Sequence, residues 1–155
     1  MAKINWFLEF AAYYSLPFIS FADTLSVAAN TCVNNSLVLK QISKFMENFE
    51  LLENAKISVV YKKAVGMGYT LFAAKSMGYD YTLAFANAKI ALFDSVAGAE
   101  IELAADGRTR EKLAEKYADE NSDPVNAAKD GYIDDIIEPQ FVKQYLIAAL
   151  QMLLK

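Results

Sequence analysis

The residues best placed to do chemistry are Gly66-Met67-Gly68, because they separate two segments of different period. Before them, Ile57-Ser58-Val59-Val60-Tyr61 reads as a buried strand. After them, Thr70-Leu71-Phe72-Ala73-Ala74-Lys75 reads as a helix. A glycine-rich turn from strand to helix aims successive backbone N–H groups at one point. Such a point can hold a phosphate, a carboxylate or a developing oxyanion. Glycine placed there for steric reasons alone is the plainer explanation, and on spacing alone it carries more weight.

Other reactive side chains each have an ordinary explanation. Adjacent Asp134 and Asp135, with Glu138, could suggest a metal, but neighbours on a strand point to opposite faces. A solvated cluster at the domain edge fits better, and no metal site is expected. Cys32 has no histidine to activate it, since the chain has none. Asp80 and Asp94 lie near strand ends beside the glycine turn; each could act as a general base or cap a loop or helix.

The elements that must position these residues alternate along the chain. Residues 3–14 place Ile4, Phe7, Leu8, Ala11 and Ala12 at helical spacing, and Pro17 stops that helix. A strand over 18–22 and a loop over 23–30 follow. The longest helix is expected over 31–53, with Val33, Leu37, Val38, Ile42, Phe45, Met46, Phe49 and Leu52 on one stripe. Further strands are expected at 57–61, 81–85, 89–93 and 132–137. Helices are expected at 95–104 and 109–119, with a short one opened by Asp123-Pro124 as N-cap and first residue. Pro139 opens the last helix. Strands alternating with helices predict a single α/β domain with a parallel sheet.

Composition narrows the function classes. The 155 residues suit one domain with a real core. A net charge of −4 without a basic patch argues against nucleic acid. The single cysteine excludes an internal disulfide framework and suits a reducing cytoplasm. Neither a signal-peptide core nor an apolar run of about 18 residues is present, so a cytoplasmic location is expected. The 55% apolar content, with ten Phe and nine Tyr, predicts burial against another subunit or domain.

The tail Gly131-Tyr132-Ile133-Asp134-Asp135-Ile136-Ile137-Glu138-Pro139 resembles the Gly-Tyr-Val-Asp-Asp-Val-Ile-Glu-Pro segment of carboxyltransferase subunits of biotin-dependent acyl-CoA carboxylases. The ending Ile147 to Leu153 is similar to that family's closing Ala-Leu-x-x-Leu helix. The glycine turn is similar to the family's Lys-Ala-Tyr-Gly-Gly-Ala-Tyr, with Lys63, Ala64, Gly66 and Tyr69 retained. Asp80 to Ala91 resembles Asp-x-x-x-Ala-Trp-Pro-x-Ala-Glu-Ile-Ala, and Pro17 to Asp23 resembles Pro-x-x-x-Phe-x-Asp. The likeness spans essentially the whole chain.

This resemblance implies a crotonase-like domain, a spiral of ββα units, corresponding to the second of the two such domains in each family subunit. It implies that residues 1–155 are the C-domain and that the N-domain must come from a partner chain. It implies a site in which the backbone N–H groups of Met67 and Gly68 stabilise the ureido oxygen of biotin, with Gly66, Tyr69 and Thr70 around the biotin. Biotin on a carrier protein, an acyl-CoA substrate, a biotin carboxylase and an oligomeric assembly are implied as well. The chain departs from the pattern at Met67, at Thr24-Leu25-Ser26, at Phe85-Ala86, at Lys89 in place of Glu, and at Phe93-Asp94. A diverged domain kept for assembly, and a decarboxylase component running the reverse transfer, therefore stay open.

Overall fold

The structure is a computed structural model, and it describes residues 1–25, 36–102 and 110–154. Helix α1 (Ala2–Tyr13) leads into strand β1 (Phe18–Thr24), and α2 (Ser36–Glu50) into β2 (Lys56–Val65). A short helix α3 (Met67–Phe72) and a 3₁₀ turn precede β3 (Tyr81–Phe85) and β4 (Lys89–Ala91). Helices α4 (Ser95–Glu102), α5 (Arg110–Asn121) and α6 (Pro124–Lys129) follow. The chain closes with β5 (Asp135–Ile137), the 3₁₀ turn Pro139–Phe141 and α7 (Val142–Leu153).

The strands form one sheet in the order β1-β2-β3-β5, with β4 attached to the end of β2. Every pairing is parallel. Early in β2, Ile57 to Val60 pairs with β3. Its last residues, Lys63 to Val65, pair with β4 instead. The change of partner coincides with a bulge: two steps along β1, Ala22 to Thr24, match four along β2, Val60 to Ala64. The strand is thus longer than the one expected over 57–61. Lys62 and Lys63 are exposed and polar enough to resemble a turn, but the pairing of Lys63 with Lys89 of β4 carries the strand on.

Both faces of the sheet are covered. On one, Phe45 and Phe49 of α2 pack with Leu8, Phe18, Leu71 and Tyr79. A second cluster there is built largely of alanines, Ala22, Ala64, Ala73, Ala74, Ala84 and Ala88, with Val60 and Ile90. On the other face, Val59, Leu83 and Ile137 meet Val142, Tyr145 and Leu146 of α7. The expected stripe of α2 holds at Ile42, Phe45 and Phe49, while Leu37 and Met46 are exposed. Val33 and Cys32 lie outside the described residues. The strand expected over 89–93 ends at Ala91, because Asp94 turns the chain into α4. The strand expected over 132–137 is shortened to Asp135–Ile137. The N-cap reading at Asp123 holds, its Oδ1 accepting the Val125 N–H at 2.8 Å with Pro124 following.

Two polar anchors tie strands to their surroundings, one at the start of β2 and one just before β5. Lys56 is buried, and its Nζ donates to the carbonyls of Leu52 at 2.9 Å and Phe49 at 3.3 Å, satisfying acceptors at the end of α2. Asp134 is no loose member of an edge cluster. Its Oδ2 accepts from the N–H of Thr82 at 2.8 Å and from its hydroxyl at 2.9 Å, and its Oδ1 pairs with Lys75. Partial burial pushes the Asp134 carboxyl up, but the bonds from Lys75 and Thr82 outweigh it and hold the group below its ordinary value.

A group with a lowered folded pKa adds stability above its unfolded value, and that stability is lost as the pH falls through the folded value. Asp134→Asn keeps the shape and removes the charge. The midpoint of urea unfolding should therefore fall in the variant near about pH 7, and the gap from wild type should shrink toward about pH 2. An equal gap at both pH values would remove Asp134 as an electrostatic anchor.

Candidate active site at the Gly66 turn

Three strand ends meet at the turn that leaves β2. Gly66 has φ 56° and ψ −131°, the mirror image of extended backbone, which only glycine adopts without strain. Its N–H donates to the Ala91 carbonyl at 3.0 Å, tying the turn to β4. Its own carbonyl accepts from the Thr70 N–H at 3.0 Å and the Thr70 hydroxyl at 3.2 Å. Gly68 is glycine for a different reason. A Cβ there would lie 2.7 Å from Thr24 Cγ2 and 2.8 Å from the Leu25 carbonyl oxygen. The end of β1 leaves no room for a side chain.

The N–H groups of Met67 and Gly68 head α3. The helix holds no carbonyl four residues back for them, and among the described residues neither donates to a carbonyl elsewhere. The Met67 side chain is 38% exposed and does not fold into the core. The turn therefore fixes its backbone donors from three sides; Met67 is exposed, whereas Gly68 is buried. Such an arrangement can stabilise developing negative charge without reorganising.

The other expected site residues separate. The Thr70 hydroxyl turns inward to Gly66. Tyr69 is buried, and its hydroxyl has no hydrogen-bond partner among the described residues. Burial, and then the neighbouring Tyr132, push its pKa up to about 12. Its ring lines a cavity of about 400 Å³ shared with Ile90, Tyr117, Asn126 and Tyr132. Asp80 accepts the Lys56 N–H at 2.7 Å, and Asp94 accepts the N–H groups of Val96 and Ala97 at 3.0 and 3.1 Å. Asp94 caps α4, and Asp80 ties the start of β2 to the start of β3. Among the described residues no group of three or more His, Cys, Asp or Glu could hold a metal. Sequence reading missed the Ala91 carbonyl and the Thr24–Leu25 wall. Only Thr70, four residues after Gly66, carried a readable signal.

Gly68→Ala should lower unfolding free energy by about 1–3 kcal/mol, because Leu25 offers backbone rather than a side chain that can move. Met67→Ala should stay within about 0.5 kcal/mol of wild type. Equilibrium urea unfolding of the two variants checks both; equal stabilities would refute the close approach.

The split central strand and parallel sheet form the crotonase-like α/β fold. Over 97% of the chain it superposes, with a TM-score of 0.83 and 25% identity, on a crystal structure entitled transcarboxylase 12S, hexamer assembly and substrate binding to a multienzyme core. The beta subunit of geranyl-CoA carboxylase from P. aeruginosa shares the fold at a TM-score of 0.79 and 16% identity, over 97% of this chain and 31% of that one. A propionyl-CoA carboxylase carboxyltransferase subunit of Haloferax mediterranei is 29% identical over 95% of this chain and 30% of its own length. A methylmalonyl-CoA decarboxylase subunit alpha of Veillonella parvula is 27% identical over 97% of this chain and 30% of its own length. The chain thus spans about a third of the curated relatives it matches. No described helix is long and apolar enough to cross a membrane. The model of the carboxyl transferase domain matches residues 1–155 throughout, and the chain belongs to that family.

Proposed function

We propose that this chain is the C-terminal carboxyltransferase half-domain of a biotin-dependent acyl-CoA carboxylase, working in the cytoplasm. The N–H groups of Met67 and Gly68 are the oxyanion donors for the ureido oxygen of biotin. Gly66 and Thr70 hold those donors in place, and Tyr69 forms the wall behind them. The observation that carries this reading is the turn itself: two backbone donors without acceptors among the described residues, braced by Ala91, Thr70, Thr24 and Leu25. Donors of this kind fit an anionic oxygen and need no histidine or metal. Biotin, delivered on a carrier protein, supplies the transferable carboxyl group. Stabilising the charge at one oxygen lowers the barrier in both directions, so the same donors serve carboxylation and decarboxylation.

The acyl-CoA part of the site is assigned to an N-domain on a partner chain. A biotin carboxylase would recharge the carrier. Assembly would use helix α1, whose outer face carries Trp6 at 63% and Tyr13 at 81% exposure, with Phe10 stacked on Trp6 and Tyr14 packed on Phe10. A contiguous aromatic face of this kind is rare on a monomer.

Met67→Pro is the sharpest probe of the site. Met67 is the first residue of α3, where proline removes an N–H that the helix does not use. Gly66, in mirror-extended backbone, tolerates a following proline. The assembled enzyme carrying Met67→Pro should keep its circular dichroism spectrum and lose carboxyl transfer by about 100-fold or more. Met67→Ala should transfer at nearly the wild-type rate. A folded Met67→Pro enzyme with normal turnover would sink the oxyanion assignment. For assembly, Trp6→Glu with Tyr13→Glu should shift light-scattering mass toward the monomer. An unchanged mass would move the interface elsewhere.

A further inference from the structure

The second half of β2 lies beside β4 with Lys63 opposite Lys89, Ala64 opposite Ile90 and Val65 opposite Ala91. Ala64 and Ile90 point into the core. Alternation along both strands therefore sends Lys63 and Lys89 to the other face, together with Val65 and Ala91. There the four line a cavity of about 240 Å³ together with Tyr117 and Ala118 of α5 and Ser122 just after it.

Two lysines in register on strands about 5 Å apart repel each other, and such pairs are destabilising unless something lies between them. Among the described residues neither Lys63 nor Lys89 forms an ion pair, whereas their neighbour Lys62 reaches Asp23 at 3.7 Å. Asp94 is the one carboxylate lining the cavity, and its Oδ1 is taken by the N–H groups of Val96 and Ala97. The lining thus carries two ammonium groups against one carboxylate, a net positive charge facing the cavity. The volume is below the roughly 300 Å³ of sites for drug-sized ligands, so it suits a terminal group rather than a whole cofactor.

We infer that Lys63 and Lys89 form a phosphate-binding site at the β2–β4 seam, distinct from the donors of Met67 and Gly68. A dianion bridges two point charges better than a carboxylate does, and lysine binds phosphate as a point charge. The phosphate can come from the nucleotide end of an acyl-CoA or from free phosphate in solution. The inference does not rest on carboxyl transfer, because binding is measurable on the chain by itself.

Isothermal titration of the full chain with inorganic phosphate, at fixed ionic strength and with acetate as the monoanion control, tests the site. Phosphate should bind and acetate should not compete. Lys89→Glu and Lys63→Met should each weaken phosphate at least tenfold, while Lys62→Met leaves it unchanged. Both lysines are exposed, so the variants should keep the wild-type circular dichroism spectrum. Coenzyme A against its analogue lacking the 3′-phosphate then separates the sources. Tighter binding of coenzyme A, lost in Lys89→Glu, assigns the site to the substrate. Equal binding of the two, with inorganic phosphate still lysine-dependent, assigns it to free phosphate or to another phosphate of the coenzyme. Phosphate affinity that is absent in the wild type, or indifferent to both substitutions, overturns the inference.

Discussion

A strand in a sheet has two edges, so at any residue it can pair with two neighbours at most. β2 pairs with three strands: β1 throughout, β3 at its start and β4 at its end. It must therefore change partner partway along, and the bulge between Val60 and Ala64 is where it does so. Much of the site follows from that one event. The end of β2 swings away from β3 and carries the Gly66 turn to the meeting point of β1 and β4. The same swing turns Lys63 onto a face shared with Lys89.

The helix after the turn could not exist alone. Six residues are far below the length at which a helix holds itself in water. Its last carbonyls are taken by serines of the sheet: the Ser20 hydroxyl donates to Phe72 at 2.7 Å, and Ser58 donates to Ala73 at 3.0 Å. Its first turn is closed by Thr70 on Gly66. Beneath it, the alanine-rich cluster lets sheet and helix approach closely, since larger side chains would push α3 outward and lift the turn off Ala91. The polar residues buried in these strands are thus part of how the backbone donors are aimed.

The sequence was most legible where one physical signal acted alone. The Asp123-Pro124 cap and the strand over 81–85 depend on local pattern, and both appear where expected. It was least legible where partners far along the chain decide. Lys62-Lys63 has the composition of a turn, and pairing with β4 from Lys63 onward keeps the chain in strand. Asp134 looks like one more solvated acid, and only Thr82, fifty-two residues away, makes it an anchor. Lys89 could be seen as a departure from the family pattern, but its neighbour Lys63 is known only from the register. The family itself was readable because its tail motif is contiguous.

The glycine turn shows why so diverged a chain can keep a recognisable site. A donor on the backbone survives any replacement of the side chain it belongs to, except proline. Met67 can therefore differ from the family residue and leave its N–H where it was. Gly66 and Gly68 have no such freedom, and they lack it for unrelated reasons. One is held by its dihedral angles and the other by the wall at Thr24 and Leu25. Two independent constraints two residues apart are harder to keep by chance than one. If the turn were only a connection, relaxing the wall at Thr24 and Leu25 would free Gly68 without consequence for Gly66. Both constraints fall where, among the described residues, the N–H groups of Met67 and Gly68 find no carbonyl, so glycines and donors are fixed by the same turn.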